Sequence, residues 1–155
     1  MIRRFALSIL AFTLIAPIAR SDAPKADEMK KLEGEWQAVE VEINGKKRTN
    51  DDDEVKKLRV VIKGNNMTIR SSDGAGAERK KTFKIDPSKS PKEIDITSLD
   101  GQEKDQIAAG IYKFEKDRLI ICIPNFKDPT VRPKEFKAGA DDGVLLVVLE
   151  RVPSK

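Results

Sequence analysis

The stretch Lys31–Gly45, "KLEGEWQAVEVEING", carries the single tryptophan of the 155-residue chain, Trp36. Beyond Gly34 apolar and acidic residues alternate, the pattern of a strand with one buried face. The stretch ends in Asn44-Gly45, a dipeptide suited to the left-handed positions of a tight hairpin turn. The reading is a first strand over about Glu35 to Asn44. Its phase is not uniform, because Val39, Val41 and Ile43 share one face and Trp36 falls on the other. A bulge or strong bend near Gln37–Ala38 is expected to bring all four to one interior.

The rest of the chain continues the alternation, interrupted by turn residues at fairly regular intervals. Leu58, Val60 and Ile62 share a face in "LRVVIK", and Met67 and Ile69 share one in "MTIRS". Phe83 and Ile85, then Ile94 and Ile96, repeat the pattern. "AAGIYKFEKDRLIICIP" reads as a hairpin around Lys116–Asp117, with Phe114 inward, and "VLLVVLERV" as the last strand. "TNDDDEVKKL" (49–58) has the acids of a helix first turn, with Thr49 or Asn50 as cap. Its acidic run lacks the alternating ligands and central glycine of a calcium loop. The fold expected is all-β: about eight strands in an antiparallel up-and-down barrel, with one short helix between the first and second strands. A sandwich is the alternative.

Two late strands break the rule. "LIICI" (119–123) and "VLLVVL" (144–149) are apolar on both faces, so their outer face needs a cover. The candidates are the "RPKEF" segment (132–136), a helix over "ADEMKKL", or another protein.

Composition removes whole classes of chemistry. The chain has no histidine and one cysteine. Ser-His and Cys-His nucleophile pairs, imidazole acid–base steps and histidine- or thiolate-ligated zinc are excluded. Cys122 has no partner for an intrachain disulfide and sits in an apolar strand, where it reads as a buried hydrophobe. No cofactor and no metal site are expected.

The first residues have the layout of a secretory leader: Arg3 and Arg4, an apolar run Phe5–Ile18, then small residues. The run is shorter than the ~20 residues of a membrane-spanning helix, and cleavage after Ser21 is expected. The chain then divides into a signal peptide, 1–21, and one domain, 22–155. Removing Arg3, Arg4 and Arg20 from 30 Lys+Arg leaves 27 against 26 acids. The basicity therefore belongs mostly to the leader, and "GKKR" (45–48) and "ERKK" (78–81) read as solvated strand ends rather than a nucleic-acid surface.

In a closed barrel the first and last strands pair, which brings Trp36 near Arg151 in the terminal "LERV". A guanidinium over an indole face contributes about 0.5–2 kcal/mol. Gly34, Trp36 and Arg151 resemble the G-x-W and last-strand arginine of the lipocalin-like superfamily. A closer resemblance runs from about Met29 to Val152. The ordered strings "LEGEW…VEING", "VIKGNNMTI", "FKIDPSKSPKEIDI", "GIYKFEKDRLIICI" and "RPKEF" are similar to a small exported domain family expanded in planctomycete bacteria. Here "EKDR" stands where a glycine-aspartate turn is common there, and the loop from "CIP" to "RP" is irregular. The resemblance implies a lipocalin-like barrel and brings no catalytic residues.

The functional expectation is an exported, non-catalytic binding domain, periplasmic or extracellular, for a small apolar or amphipathic ligand. The alternative is a protein–protein interaction domain using the outer face of the last strands. The residues placed at the ligand site or barrel end are Trp36, Arg132, Phe136 and Arg151. Arg132 has two readings: an anion ligand at the barrel mouth with Phe136 lining it, or a bridge to carboxylates and carbonyls while Pro133 and Phe136 pin the loop. A monomer is expected, with no nucleic-acid partner and no membrane insertion after leader removal. Intact mass of the protein recovered from a periplasmic extract should correspond to a chain starting at Asp22; Met1 retained in membrane pellets would contradict export.

Overall fold

Strand alternation and turn chemistry produce nine strands and two short helices in the computed structural model, which describes residues 23–71, 78–124 and 130–153. The leader expected over 1–21 lies outside these residues. Helix α1 (Ala23–Leu32) precedes strand β1 (Gly34–Ile43), which turns at Asn44-Gly45 into β2 (Lys46–Thr49). Helix α2 (Asp53–Lys57) follows, then β3 (Arg59–Lys63) and β4 (Asn66–Arg70). The chain continues through β5 (Glu78–Asp86), β6 (Lys92–Ser98), β7 (Ile107–Glu115) and β8 (Arg118–Pro124) to β9 (Val144–Arg151).

Every strand pair among the described residues is antiparallel, and the sheet runs β2-β1-β3-β4-β5-β6-β7-β8-β9 with β9 returning to β1. The eight strands β1 and β3–β9 form a closed up-and-down barrel, and β2 is an additional strand beside the second half of β1. The sequence reading missed β2 because "KKRT" has no apolar alternation; all four residues are exposed. The short helix therefore lies between β2 and β3, and its cap is Asp52, whose carboxylate accepts from Glu54 N at 2.9 Å. Thr49 ends β2, so it is unavailable as the cap.

The bulge in β1 exists, but it falls between Ala38 and Glu40 rather than at Gln37–Ala38. Trp36, Ala38 and Val41 thus face the interior, and Val39, the extra residue, packs outside against the second apolar cluster. Inside, Val60, Ile62, Met67, Phe83, Ile85, Ile94 and Ile96 join Tyr112, Leu119, Ile121 and Leu149 in one core. An eight-stranded barrel is just wide enough to be filled by side chains or to keep room for one small ligand. This one is largely filled: a space of about 170 Å³ remains among Ile69, Ile96, Ile123 and Leu145, at the end away from α1.

The α1 end is sealed by one arrangement. Trp36 is 1% exposed, and its indole N–H donates to Leu32 O at 2.9 Å. The Arg151 guanidinium lies 4.2 Å from the indole centroid. Its two terminal nitrogens donate to Glu33 O at 2.5 Å and Lys31 O at 2.6 Å, the carbonyls where α1 ends and β1 begins. Gly34 adopts φ +127°, and a Cβ there would collide with the Arg151 guanidinium. The glycine is needed on both counts.

Trp36→Ala should lower unfolding free energy by about 3–5 kcal/mol, the range for truncating a buried large aromatic. Arg151→Ala should cost less, and the double variant should lose less than the sum, because the two side chains share one contact. Urea unfolding of the four proteins measures this; strict additivity would contradict the shared contact.

Candidate functional site

The outer face of β7, β8 and β9 is covered by the chain itself. Ile111, Ile120, Cys122, Leu146 and Val148 form a second apolar cluster that includes Ala138 and has Phe136 packed against it. The 130–143 connection crosses this face and supplies the cover, which is the first of the three candidates raised by the two-sided strands. Helix α1 goes to the barrel end instead.

Arg132 anchors the covering segment. Its guanidinium donates to Ile94 O at 3.3 Å, to Gly110 O, and to Asp95 Oδ1 at 2.6 Å, with Glu93 Oε2 at 3.6 Å. Glu93 and Asp95 point outward from β6, as the phasing of Ile94 and Ile96 requires. Of the two readings of Arg132, the bridge is the one observed: it does not stand at a barrel mouth awaiting an anion. Cys122 is fully buried beneath this segment, with Sγ 3.6 Å from Glu135 O and 3.8 Å from Lys137 O. Burial pushes its thiol up to about 11, so it is a poor nucleophile near neutral pH.

Trp36, Phe136 and Arg151 come together elsewhere, in a cleft of about 660 Å³ at the α1 end of the barrel. Arg132 is not part of it. The cleft is walled by four aromatic residues, Trp36, Tyr112, Phe114 and Phe136. Phe114 sits 6.3 Å from Trp36 and 6.3 Å from Tyr112, edge-on to the latter. Phe114 is only half-buried, so the aromatic wall continues from core to surface.

The same cleft carries five cations: Lys31, Lys92, Lys113, Lys116 and Arg151. Three of them rest on the aromatic faces. Arg151 lies over Trp36, Lys113 Nζ is 4.7 Å from the Phe136 centroid, and Lys92 Nζ is 6.0 Å from that of Tyr112. The carboxylates that line it are Glu28 and Asp117. Glu28 comes from α1, is 5% exposed and pairs with Lys92, with Lys31 at 3.8 Å.

Tyr112 is fully buried, and its hydroxyl makes no hydrogen bond of normal geometry. Glu28 is nevertheless close enough to act on it. Burial is the larger cause of the upward shift in the phenol's pKa, and the neighbouring Glu28 carboxylate adds to it.

Comparison with protein-family models, curated proteins and solved structures finds no match. The site is therefore read from its own geometry. Among the described residues no group of three or more His, Cys, Asp or Glu side chains is placed to hold a metal ion.

The sequence reading found three of the cleft residues and missed Glu28, Lys92, Tyr112, Lys113 and Lys116. Glu28 belongs to a helix considered only as a cover for the outer face. The lysines lie at strand ends, where solvated charge is ordinary, and only closure of the barrel brings α1 beside the β7–β8 turn.

Native Cys122 should resist an aromatic disulfide reagent at pH 8 while the urea-unfolded protein reacts fully. Phe136→Ala should raise the native rate by about tenfold or more by easing local opening of the covering segment. A wild-type thiol that reacts as fast as unfolded protein would contradict the cover.

Proposed function

We propose that this chain is an exported, non-catalytic binding domain that takes a small amphipathic ligand in the cleft at the α1 end of the barrel. The observation that carries the reading is the cleft itself: about 660 Å³, with four aromatic residues along its wall and charged side chains among them. That volume lies within the roughly 300–1,000 Å³ of small-molecule sites. The barrel interior offers far less, about 170 Å³ at the opposite end. A ligand with an apolar body and a polar end fits the cleft better than a wholly apolar one.

The non-catalytic part rests on the side chains available. There is no histidine, the only thiol is buried with a raised pKa, and the buried Glu28 is already paired with Lys92. Export rests on the basic–apolar–small layout of residues 1–21. Kinship with the planctomycete exported domains rests on the ordered strings between Met29 and Val152. The competing use of the last strands as a docking face has lost its motive, since the 130–143 connection lies over them.

Amide spectra of the isotopically labelled protein, recorded while titrating eight-carbon amphiphiles, test the site. Shifts should cluster at Lys31, Trp36, Tyr112–Phe114 and Phe136. Shifts confined to Ile69, Ile96, Ile123 and Leu145 would place binding in the barrel interior and overturn the assignment.

A further inference from the structure

The charge of the ligand follows from how the cleft's cations are neutralised, an inference that rests on the cleft being the binding site. Five cations line it against two carboxylates, Glu28 and Asp117. Counting Glu115, which pairs with Lys113 at 2.9 Å from outside the cleft, an excess of two positive charges remains among the described residues. The individual partners show where that excess lies. Lys92 and Lys31 share the single buried carboxylate of Glu28. Among the described residues Arg151 has carbonyl and indole partners but no carboxylate. Lys116, at the β7–β8 turn with φ +55°, has no ion pair among the described residues.

We propose that the cleft selects an organic anion: an apolar body against Phe114 and Phe136, and a carboxylate or similar group held by Lys116 and Arg151. The aromatic wall alone would accept any apolar body. Selection for negative charge comes from cations that the protein places beside that wall and leaves without an equal number of acids. Bringing a cation here would add like charge to an excess of two. Bringing an anion supplies the missing partner, and a charge-assisted hydrogen bond is about twice as strong as a neutral one. Close contact with rings also lowers the local dielectric, which strengthens the pairing relative to water.

Calorimetric titration of the full domain with octanoate, octan-1-ol and octylammonium separates charge from apolar body, because the three share a chain length. Octanoate should bind about tenfold or more tightly than octan-1-ol, the margin of one charge-assisted hydrogen bond. Octylammonium should bind weakest. Raising salt from 0.05 to 0.5 M, levels chosen to span the ~8–10 Å screening length of physiological buffer, should weaken octanoate and leave octan-1-ol unchanged. Lys116→Asn suits the left-handed turn position and should keep the urea midpoint while weakening octanoate about two- to fivefold, as for one exposed charge. Lys92 is not the residue to change, because removing it strands the buried Glu28 carboxylate. Equal or tighter binding of octan-1-ol or octylammonium would overturn the anion inference and leave the cleft as the site. Failure of all three to bind would overturn the cleft reading together with it.

Discussion

The Arg151 guanidinium is the point on which the rest of the molecule depends. It is the last residue of the last strand, yet it hydrogen-bonds the carbonyls of Lys31 and Glu33 and lies against Trp36. One planar cation thereby joins the C-terminal end of β9 to the end of α1 and the start of β1. Arg suits this role because its fixed fork reaches two carbonyls while its face stacks on an indole. Lysine would supply the charge and lose both the fork and the stack. Gly34 is the other half of the constraint, since any side chain there would occupy the guanidinium's place.

Sealing that end with α1 moves the opportunity for binding. The interior of a barrel of this size fills with Phe, Ile, Leu and Trp side chains, and little volume remains inside. The helix, the β7–β8 turn and the covering segment instead leave a furrow between them. Its floor is the outward end of the core's aromatic group, and its rim is the lysines that strand ends and turns ordinarily carry. The cleft is thus a by-product of closure: the contacts that hold the end shut also set its walls. The outer face of β7–β9 carries the opposite lesson. Its two-sided apolar strands look like a docking surface in the sequence, and Arg132 fastens the chain's own segment over them through Asp95 and two backbone carbonyls.

Most of the barrel was legible in the sequence because alternation is a local signal. Val60/Ile62, Phe83/Ile85 and Ile94/Ile96 each declare their inward face without reference to the rest of the chain, and the Trp36–Arg151 contact follows once the ends are paired. The failures share a cause. β2 has no apolar residue, so it exists only because the Asn44-Gly45 turn folds it back onto β1. Val39 looks inward by alternation, but the bulge one step later than expected sends it outside. The cleft draws residues from α1, β6, β7 and the covering segment, separated along the chain by up to a hundred positions or more. No local pattern in any one of them announces the others. Glu28 is the sharpest case, because "ADEMKKL" reads as a polar helix and its single buried acid is defined only by Lys92 opposite.

The pairing of β1 with β9 carries a consequence for how the molecule comes into being. Arg151 and Glu33, which share a hydrogen bond, are 118 positions apart, and β9 has its other long edge on β8. A growing chain that stops anywhere before Val144 therefore has no ring, only an open curved sheet with bare hydrogen-bonding groups on β1 and β8. Contacts of such long sequence separation are late and slow to form, and bare edges invite pairing with other chains. Closure of this barrel waits on β9. Until the eight residues of β9 are present it remains a sheet in search of a partner, and a frameshift or proteolytic clip that removes β9 leaves two bare edges in place of a sealed barrel.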